Sequence, residues 1–146
     1  SLDNDHYRYK LDWMERLRQH VAGENQPSDG VIVMGDFNIA PDDRDVWDPK
    51  FYDGGTHVSQ PERDSLAALE QWGMVDVFRE QHAEPGMYSW WDYRNGDFHK
   101  GRGMRIDLVL ATRSVADRCR FAVVDRNARK GQQPSDHAPV VVDIDD

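Results

Sequence analysis

An aspartate and an asparagine stand two residues apart, directly after an apolar run. Asp36 and Asn38 follow the run Val31-Ile32-Val33-Met34 and are separated by Phe37. If the chain stays extended, residues i and i+2 point the same way, so that a carboxylate and a neutral amide face one spot. Asp and Asn are also common in turns, so a simple turn is the alternative interpretation.

A second polar cluster, Ser135-Asp136-His137, precedes the apolar segment 138–144. Asp136 offers the kind of oxygen ligand that hard divalent cations prefer, and histidine is the residue type that changes charge nearest neutral pH. At the irregular start of a strand, both side chains can reach one substrate. The alternative is a helix cap or a turn with a solvated histidine.

A third carboxylate, Asp107, lies inside the apolar run Ile106-Asp107-Leu108-Val109-Leu110. A charge in a buried strand is costly unless it is paired, so Asp107 needs a partner. We predict that this partner is His137, because a carboxylate that holds one imidazole nitrogen leaves the other free to act on a substrate. A structural salt bridge between Asp107 and Arg105 is the alternative.

Helices and buried strands alternate along the chain and must position these clusters. Apolar residues at helical spacing from Tyr7 to Val21 predict one amphipathic helix, and Ser59-Gln60-Pro61-Glu62 is a capping box that opens another. The runs 31–34, 106–111 and 138–144 are rich in apolar residues and predict strands. The first two are continuous enough to be buried on both faces. Residues 37–58 have no periodicity and predict a long functional loop.

Composition limits the class of protein. With 146 residues and 38% hydrophobic content, the chain fits a single domain. No apolar run approaches the ~18 residues of a membrane span. A single cysteine, Cys119, excludes an internal disulfide framework. We therefore expect a soluble cytoplasmic protein with no membrane association.

The net charge of −9 argues against nucleic acid as a partner at first sight. The distribution of charge weakens this objection, because carboxylates that first bind cations can still approach phosphates. Basic residues are concentrated in one glycine-rich stretch and in a second short segment, namely Arg94, His99, Lys100, Arg102 and Arg105, then Arg126, Arg129 and Lys130. The net negative charge therefore neither favours nor excludes nucleic acid as a partner.

Taken together, four motifs resemble the carboxy-terminal half of exonuclease III, within the endonuclease/exonuclease/phosphatase superfamily. They are Gly35-Asp36-Phe37-Asn38, Tyr88-Ser89-Trp90-Trp91-Asp92-Tyr93-Arg94, Arg105-Ile106-Asp107-Leu108 and Ser135-Asp136-His137-Ala138-Pro139. The Gly-Asp-x-Asn and Ser-Asp-His motifs are typical of the whole superfamily. The tryptophan-rich run narrows the resemblance to DNA repair.

The resemblance implies a Mg²⁺- or Mn²⁺-dependent hydrolase that cuts double-stranded DNA beside an abasic site and removes nucleotides from 3′ ends. It implies catalytic roles for Asp36, Asn38, Asp107 and His137, and metal binding by Asp136 together with Asp36 and Asn38. DNA contacts are expected from Trp90, Trp91, Arg94, Lys100, Arg102 and Arg105. Ordinary core packing is the alternative for at least one of the two tryptophans.

The resemblance also implies a fold. We expect an α/β chain with one mixed β-sheet and helices packed on one face, corresponding to half of a four-layer αββα sandwich. Residues 1–146 then form the carboxy-terminal half of the domain, and the partner is the missing amino-terminal half. The uncovered sheet face, built from runs such as 31–34 and 108–111, should make the isolated chain self-associate, and the isolated chain should be inactive.

Two other functions fit the same sequence. One is a catalytically silent module that serves binding or assembly. The other is a phosphodiesterase or phosphatase of the superfamily that acts on lipid or inositol phosphates. The tryptophan-rich run and the basic stretch after it argue against the second, because a lipid enzyme would more plausibly show exposed apolar loops.

Overall fold

The computed structural model describes residues 2–146 and contains two long helices, several short ones and seven strands. The helices are α1 (Asp5–Glu24), α2 (Pro49–Tyr52), α3 (Gln60–Trp72), α4 (Val77–Gln81), α5 (Asp97–Lys100) and α6 (Arg113–Ala116). The strands are β1 (Ile32–Asp36), β2 (Met74–Asp76), β3 (Trp90–Trp91), β4 (Gly103–Met104), β5 (Asp107–Thr112), β6 (Cys119–Val124) and β7 (Val140–Ile144). Short 3-10 turns occupy Asp43–Asp45, Arg94–Gly96 and Arg126–Arg129.

Capping residues set the ends of the two long helices. The Asn4 side chain accepts the backbone N–H of Tyr7 at 2.7 Å, which satisfies one of the free donors at the start of α1. Ser59 and Glu62 form the predicted capping box of α3. Gly73 ends α3 with φ of 133°, a conformation that favours glycine.

Strands β1, β5 and β2 form a three-stranded antiparallel sheet in which β5 is central. The register places Asp36 directly opposite Asp107 at one end of the β1–β5 pair. Side chains alternate between the two faces of a strand. Asp36 and Asp107 therefore lie on the same face as Met34 and Val109.

The strands form three separate antiparallel ladders, where we expected one mixed sheet. The other two ladders are β3–β4 and β6–β7, and all pairings among the described residues are antiparallel. The physical reason is connectivity, because β6 and β7 are consecutive strands and pair with each other across the loop 125–139. The predicted α/β class is confirmed.

The central sheet is covered on both faces. Leu108 and Leu110 pack with α1 and α3 on one face, so the two long helices lie on one face as predicted. On the other face, Val109 and Ala111 pack with Val140, Val142 and Ile144 of β7, and with residues of α4 and α6. β5 is therefore buried on both faces, at 3% exposure or less from Leu108 to Ala111.

The uncovered apolar surface is smaller than we expected and lies at β1 and on the β6–β7 ladder. The expectation that residues 108–111 lack a cover is wrong, because the β6–β7 ladder folds back over β5. The expectation that 31–34 is buried on both faces is also wrong, since Ile32 and Met34 are 44% and 71% exposed. Phe121, Val123 and Val141 are exposed as well. We call these five residues the uncovered surface.

Two further segments contain regular structure. The connector 74–78 forms β2 and the start of α4, and the polar stretch 94–103 contains α5 and the first residue of β4. Among the described residues, none of the helices combines the length and the apolar character that crossing a membrane requires.

Candidate catalytic site

Asp36 and Asn38 form a compact unit at the end of β1. Asp36 Oδ1 accepts the backbone N–H of Asn38 at 2.8 Å, and Oδ2 accepts the Asn38 side-chain amide at 3.0 Å. Gly35 before them has φ of 144°, a conformation that disfavours side chains. The two side chains therefore face one spot, as the i, i+2 argument predicts, but within a turn that follows the strand.

Two side chains hold the Asn38 backbone in a strained conformation. Asn38 has φ of 52°, in the left-handed region that few residues other than glycine adopt. Its carbonyl accepts Lys10 Nζ of α1 at 2.7 Å and His57 Nδ1 at 2.6 Å. Because a carbonyl can only accept, the proton of His57 lies on Nδ1. Burial lowers the pKa of the His57 ring, which favours this neutral form.

Sequence reasoning missed Lys10 and His57. They lie 28 and 19 residues from Asn38, and neither belongs to a motif. Backbone strain at a functional site persists only when the surroundings fix it, and these two donors supply that constraint. The sequence signal for His57 was the absence of periodicity in residues 37–58, which predicted a functional loop, whereas Lys10 lies on α1 outside that loop.

Glu62 fixes the position of the Lys10 side chain. Its buried carboxylate is ion-paired with Lys10 and accepts the Ser59 hydroxyl at 2.7 Å. Burial by itself raises the pKa of Glu62, but the hydrogen bonds from Lys10 and Ser59 outweigh burial and hold that pKa below its ordinary value. The folded state therefore binds a proton at this carboxylate less readily than the unfolded state does.

We expect Glu62→Gln to lower the free energy of unfolding at pH 7 by about 1–3 kcal/mol, because a buried charged hydrogen bond is lost. The contribution of Glu62 is fully present above its unfolded pKa of about 4.3 and is lost as the pH falls through its lower folded pKa. The difference between wild type and variant, measured by urea unfolding from pH 7 to pH 3, should therefore shrink below about pH 4.3. Glu24→Gln at the exposed end of α1 is the control, and a pH-independent difference would contradict this assignment.

Asp107 and His137 form the pair that the sequence predicts. His137 Nδ1 lies 2.8 Å from Asp107 Oδ2, so the Nδ1 proton is donated to the carboxylate. The other ring nitrogen, Nε2, lies 3.8 Å from Asp36 Oδ2. Both side chains are partly exposed, at 30% for His137 and 20% for Asp107. The predicted contact is confirmed, and the alternative pairing of Asp107 with Arg105 is wrong.

Asp136 is held by the tryptophan segment. Trp90 Nε1 donates to Asp136 Oδ2 at 3.0 Å, and the backbone N–H of Trp91 donates to the Asp136 carbonyl at 3.0 Å. The buried Arg129 side chain donates to the carbonyl of Ser135 and lies over the ring of Phe98 at 4.8 Å. The Ser135–His137 segment is thus fixed from two sides. Trp90 orients the Asp136 carboxylate and is also partly exposed.

Two residues that we predicted to contact DNA are buried instead. Trp91 is 1% exposed and packs edge-on against Phe98, with ring centroids 5.1 Å apart. Arg105 is 0% exposed, and its guanidinium binds Asp45 at 2.6 Å and Asp76 at 2.7 Å. Neither side chain reaches solvent, so the predicted DNA contacts of Trp91 and Arg105 are wrong.

The other basic residues of this stretch are exposed. Arg94 lies on the surface and pairs with Asp92, and Lys100 is exposed at the end of α5. The exposed guanidinium of Arg102 lies over the Trp47 ring, 4.9 Å from its centroid. These three side chains, together with Trp90, are available to a ligand, and their DNA contacts stay predictions.

The donor atoms at this site suit a hard divalent cation but do not complete a site. Carboxylate and amide oxygens of Asp36, Asn38 and Asp136 are the ligand types that Mg²⁺ and Mn²⁺ prefer. Within residues 2–146, however, no group of three or more His, Cys, Asp or Glu side chains is placed to hold a metal.

Asp36, Asn38, Asp107 and His137 are thus brought together at one end of the β1–β5 pair, with Asp136 held beside His137 in sequence. An imidazolium fixed by a carboxylate can donate to an anionic group through its other nitrogen. A neighbouring carboxylate can accept a proton from water. This combination suits the hydrolysis of an anionic ester.

Comparison with known proteins identifies the family. Residues 1–137 match the model of the Endonuclease/Exonuclease/phosphatase family. Among curated proteins, exodeoxyribonuclease III of Haemophilus influenzae is 32% identical over 134 residues, covering 85% of this chain and 49% of that protein. An exodeoxyribonuclease of Bacillus subtilis is 31% identical and is covered over 51% of its length. The chain thus spans about half the length of these relatives.

Solved structures agree. The 3′ phosphatase NExo from Neisseria, bound to product DNA hairpin, superposes with a TM-score of 0.95 at 35% identity, covering 99% of this chain and 56% of that chain. An AP endonuclease from Archaeoglobus fulgidus superposes with a TM-score of 0.91 at 34% identity and the same coverage. The chain therefore belongs to the endonuclease/exonuclease/phosphatase family, where its relatives are exonuclease III and AP endonucleases.

Proposed function

We propose that the protein carrying this chain is a metal-dependent hydrolase of DNA phosphodiesters that acts in base-excision repair. Its substrates are double-stranded DNA with abasic sites and DNA with 3′ ends. One observation carries the proposal. Asp36, Asn38, Asp107 and His137 come from three separate sequence motifs and meet at one end of the β1–β5 pair. The relatives, which are DNA-repair nucleases, support this choice of substrate.

His137 is the residue that contacts the scissile phosphate. Its Nδ1 proton is donated to Asp107, so the imidazolium form presents Nε2–H to a non-bridging phosphate oxygen. Negative charge on that oxygen increases as water attacks phosphorus, and a donor already in place stabilises it without reorganisation. Asp107 fixes the ring orientation and stabilises the protonated ring.

Asp36 is the acceptor for the proton of the attacking water. In the reaction, the water oxygen bonds to phosphorus, a bridging P–O bond breaks, and the water proton moves to a base. Asn38 holds the Asp36 carboxylate through two hydrogen bonds, one from its backbone and one from its side chain. Lys10 and His57 in turn fix Asn38.

A bound Mg²⁺ or Mn²⁺ would neutralise phosphate charge and polarise the ester for attack. Asp136, Asp36 and Asn38 would hold it from this side. Trp90, which donates to Asp136, and the exposed Arg94, Lys100 and Arg102 would contact the sugar and the backbone of the DNA. Trp91 and Arg105 have no place in this surface, because both are buried.

The second half of the site would come from an amino-terminal region of the same protein. This chain covers about half of its relatives, and its described residues do not complete a metal site. The same region would cover the uncovered surface of Ile32, Met34, Phe121, Val123 and Val141. Without it, the isolated chain is inactive and self-associates through that surface, because exposed large apolar side chains favour association.

The test compares the isolated chain with the protein that includes its amino-terminal region. Both are incubated with duplex DNA carrying one abasic site, with Mg²⁺ or with EDTA, and both are sedimented. We expect Mg²⁺-dependent cleavage only by the longer protein, and self-association only by the isolated chain. Met34→Glu should reduce that association, while Tyr9→Glu, an exposed site on α1, should not.

Each outcome addresses a separate part of the proposal. Failure of the longer protein to cleave would overturn the nuclease function. Robust cleavage by the isolated chain would overturn the half-site, and a monomeric isolated chain would overturn the role of the uncovered surface. Binding of DNA by the longer protein without turnover would indicate the catalytically silent module.

A further inference from the structure

Ser89 is a fully buried serine between Tyr88 and Trp90, at 0% exposure. Its hydroxyl oxygen accepts the backbone N–H groups of two consecutive residues, Ile106 at 3.1 Å and Asp107 at 3.0 Å. These residues lie where the chain enters β5. The Ser89 hydroxyl oxygen therefore accepts, at the start of β5, two N–H groups that a carbonyl of a neighbouring strand would otherwise accept.

The backbone of Ser89 is tied on both sides. Its N–H donates to the carbonyl of Met104 at 2.9 Å, and its carbonyl accepts the N–H of Ala138 at 2.7 Å. Ala138 follows His137 directly. Ser89 thus contacts the segment that carries Asp107 through its hydroxyl and the segment that carries His137 through its carbonyl. One residue links the two chain segments whose side chains must meet.

We propose that Ser89 is the positioning residue of the Asp107–His137 pair. The proposal rests on the proposed function, since it assumes that this pair acts at the scissile phosphate. Ser89 does not itself reach the reacting atoms. It fixes the distance between β5 and the His137 segment, so that the 2.8 Å contact between Nδ1 and Oδ2 forms before substrate binds.

Chemistry explains why a hydroxyl is needed. The N–H groups of Ile106 and Asp107 point at Ser89, and two consecutive N–H groups of an extended chain usually point in opposite directions. The chain is therefore bent at this point, and a single acceptor satisfies both donors. Alanine at position 89 would leave both buried N–H groups without an acceptor. The backbone at Ile106 and Asp107 would then shift to bring these N–H groups to other acceptors. Asp107 would then move with its backbone.

The test uses Ser89→Ala, Ser89→Thr and Ser89→Cys in the protein with its amino-terminal region. Threonine keeps the hydroxyl, whereas cysteine fills a similar volume with a much weaker acceptor. Ser65→Ala is the matched control, because Ser65 donates its hydroxyl to the Glu62 carbonyl within α3, away from the pair. If Ser89→Ala does not fold, the cysteine variant gives the same readouts.

Two readouts need no activity. We expect Ser89→Ala to speed hydrogen exchange at the amides of Ile106 and Asp107, and to shift or broaden the downfield proton resonance of the His137 ring N–H. The third readout is cleavage of abasic DNA. A displacement of about 1 Å costs roughly 10²-fold in rate, so kcat should fall by about that factor while KM is unchanged. Threonine should restore most of the loss, and Ser65→Ala should change none of the three.

An unchanged His137 resonance and unchanged exchange in both Ser89→Ala and Ser89→Cys would overturn the positioning role. So would a loss that threonine does not restore. If both spectroscopic readouts change but the wild-type protein does not cleave DNA, the nuclease function fails while the positioning of the pair stands.

Discussion

Replacement of His137 by alanine is expected to lower kcat for cleavage of abasic DNA by at least about 10²–10³-fold, the usual loss when one donor to a developing oxyanion is removed. KM should change little, because the interaction strengthens as negative charge develops and is weaker in the bound substrate. The measurement is steady-state cleavage of duplex DNA with one abasic site, by the protein with its amino-terminal region.

Asp107→Asn should produce a loss of similar size. Asparagine can occupy the same space, but its neutral amide would not stabilise the imidazolium form that presents Nε2–H to the phosphate. Because the two residues act as one unit, the double variant should lose little more than either single variant. Strict additivity of the two losses would contradict the paired role.

The control is His20→Ala, which removes an exposed histidine on α1. It should leave both kcat and KM unchanged. Urea unfolding of each variant checks that it is folded under the conditions of the cleavage assay. A rise in KM at unchanged kcat would assign His137 to ground-state binding, and unchanged turnover would remove it from the mechanism.

Local signals in the sequence predicted the elements and the pair that matter most. Helix caps at Asn4 and Ser59 set the helix starts because capping involves residues three apart. The Asp107–His137 contact was predictable although it spans 30 residues. A carboxylate inside an apolar strand requires a partner, and His137 stands in a polar cluster at the start of another apolar segment.

The errors share a physical cause. Arg105 was assigned to DNA because it follows a glycine-rich basic stretch, but its partners Asp45 and Asp76 lie 60 and 29 residues away. Composition along the chain does not reveal which charges meet inside the fold. Lys10 and His57 were missed for the same reason. Trp91 was misassigned because period-2 alternation leaves open which of two adjacent tryptophans faces the core.

The predicted arrangement of the strands was wrong for a different reason. The runs 106–111 and 138–144 predicted strands, and β5 and β7 lie within or close to them. Pairing between strands depends on how the chain turns between them, and the sequence carried no turn signal that separates a hairpin from a crossover. The exposure of Ile32 and Met34 was missed because a continuous apolar run does not reveal that β1 is an edge strand.

Arg105→Met is expected to lower the free energy of unfolding by about 3–5 kcal/mol, because it leaves the buried carboxylates of Asp45 and Asp76 short of their shared cation. Burial by itself lowers the pKa of Arg105, but Asp76 and Asp45 outweigh burial and raise that pKa above its ordinary value, so the guanidinium is charged. Asp45 keeps its ion pair with Arg79 in this variant. Asp76 is therefore the carboxylate whose charge is left least compensated. Urea unfolding at pH 7 measures the loss.

The control variant and a second substitution separate this structural role from a DNA contact. Arg113→Met breaks an exposed pair with Glu80 and should change stability by no more than about 1 kcal/mol. Adding Asp76→Asn to Arg105→Met should recover part of the loss, since it removes the uncompensated charge. The backbone N–H of Arg105, just before Ile106 and Asp107, donates to the Asp45 carbonyl at 2.8 Å. This bond does not involve the side chain, so it remains in the variant. Folded Arg105→Met should therefore bind DNA with the wild-type salt dependence, and a shallower salt dependence at unchanged stability would return Arg105 to the DNA surface.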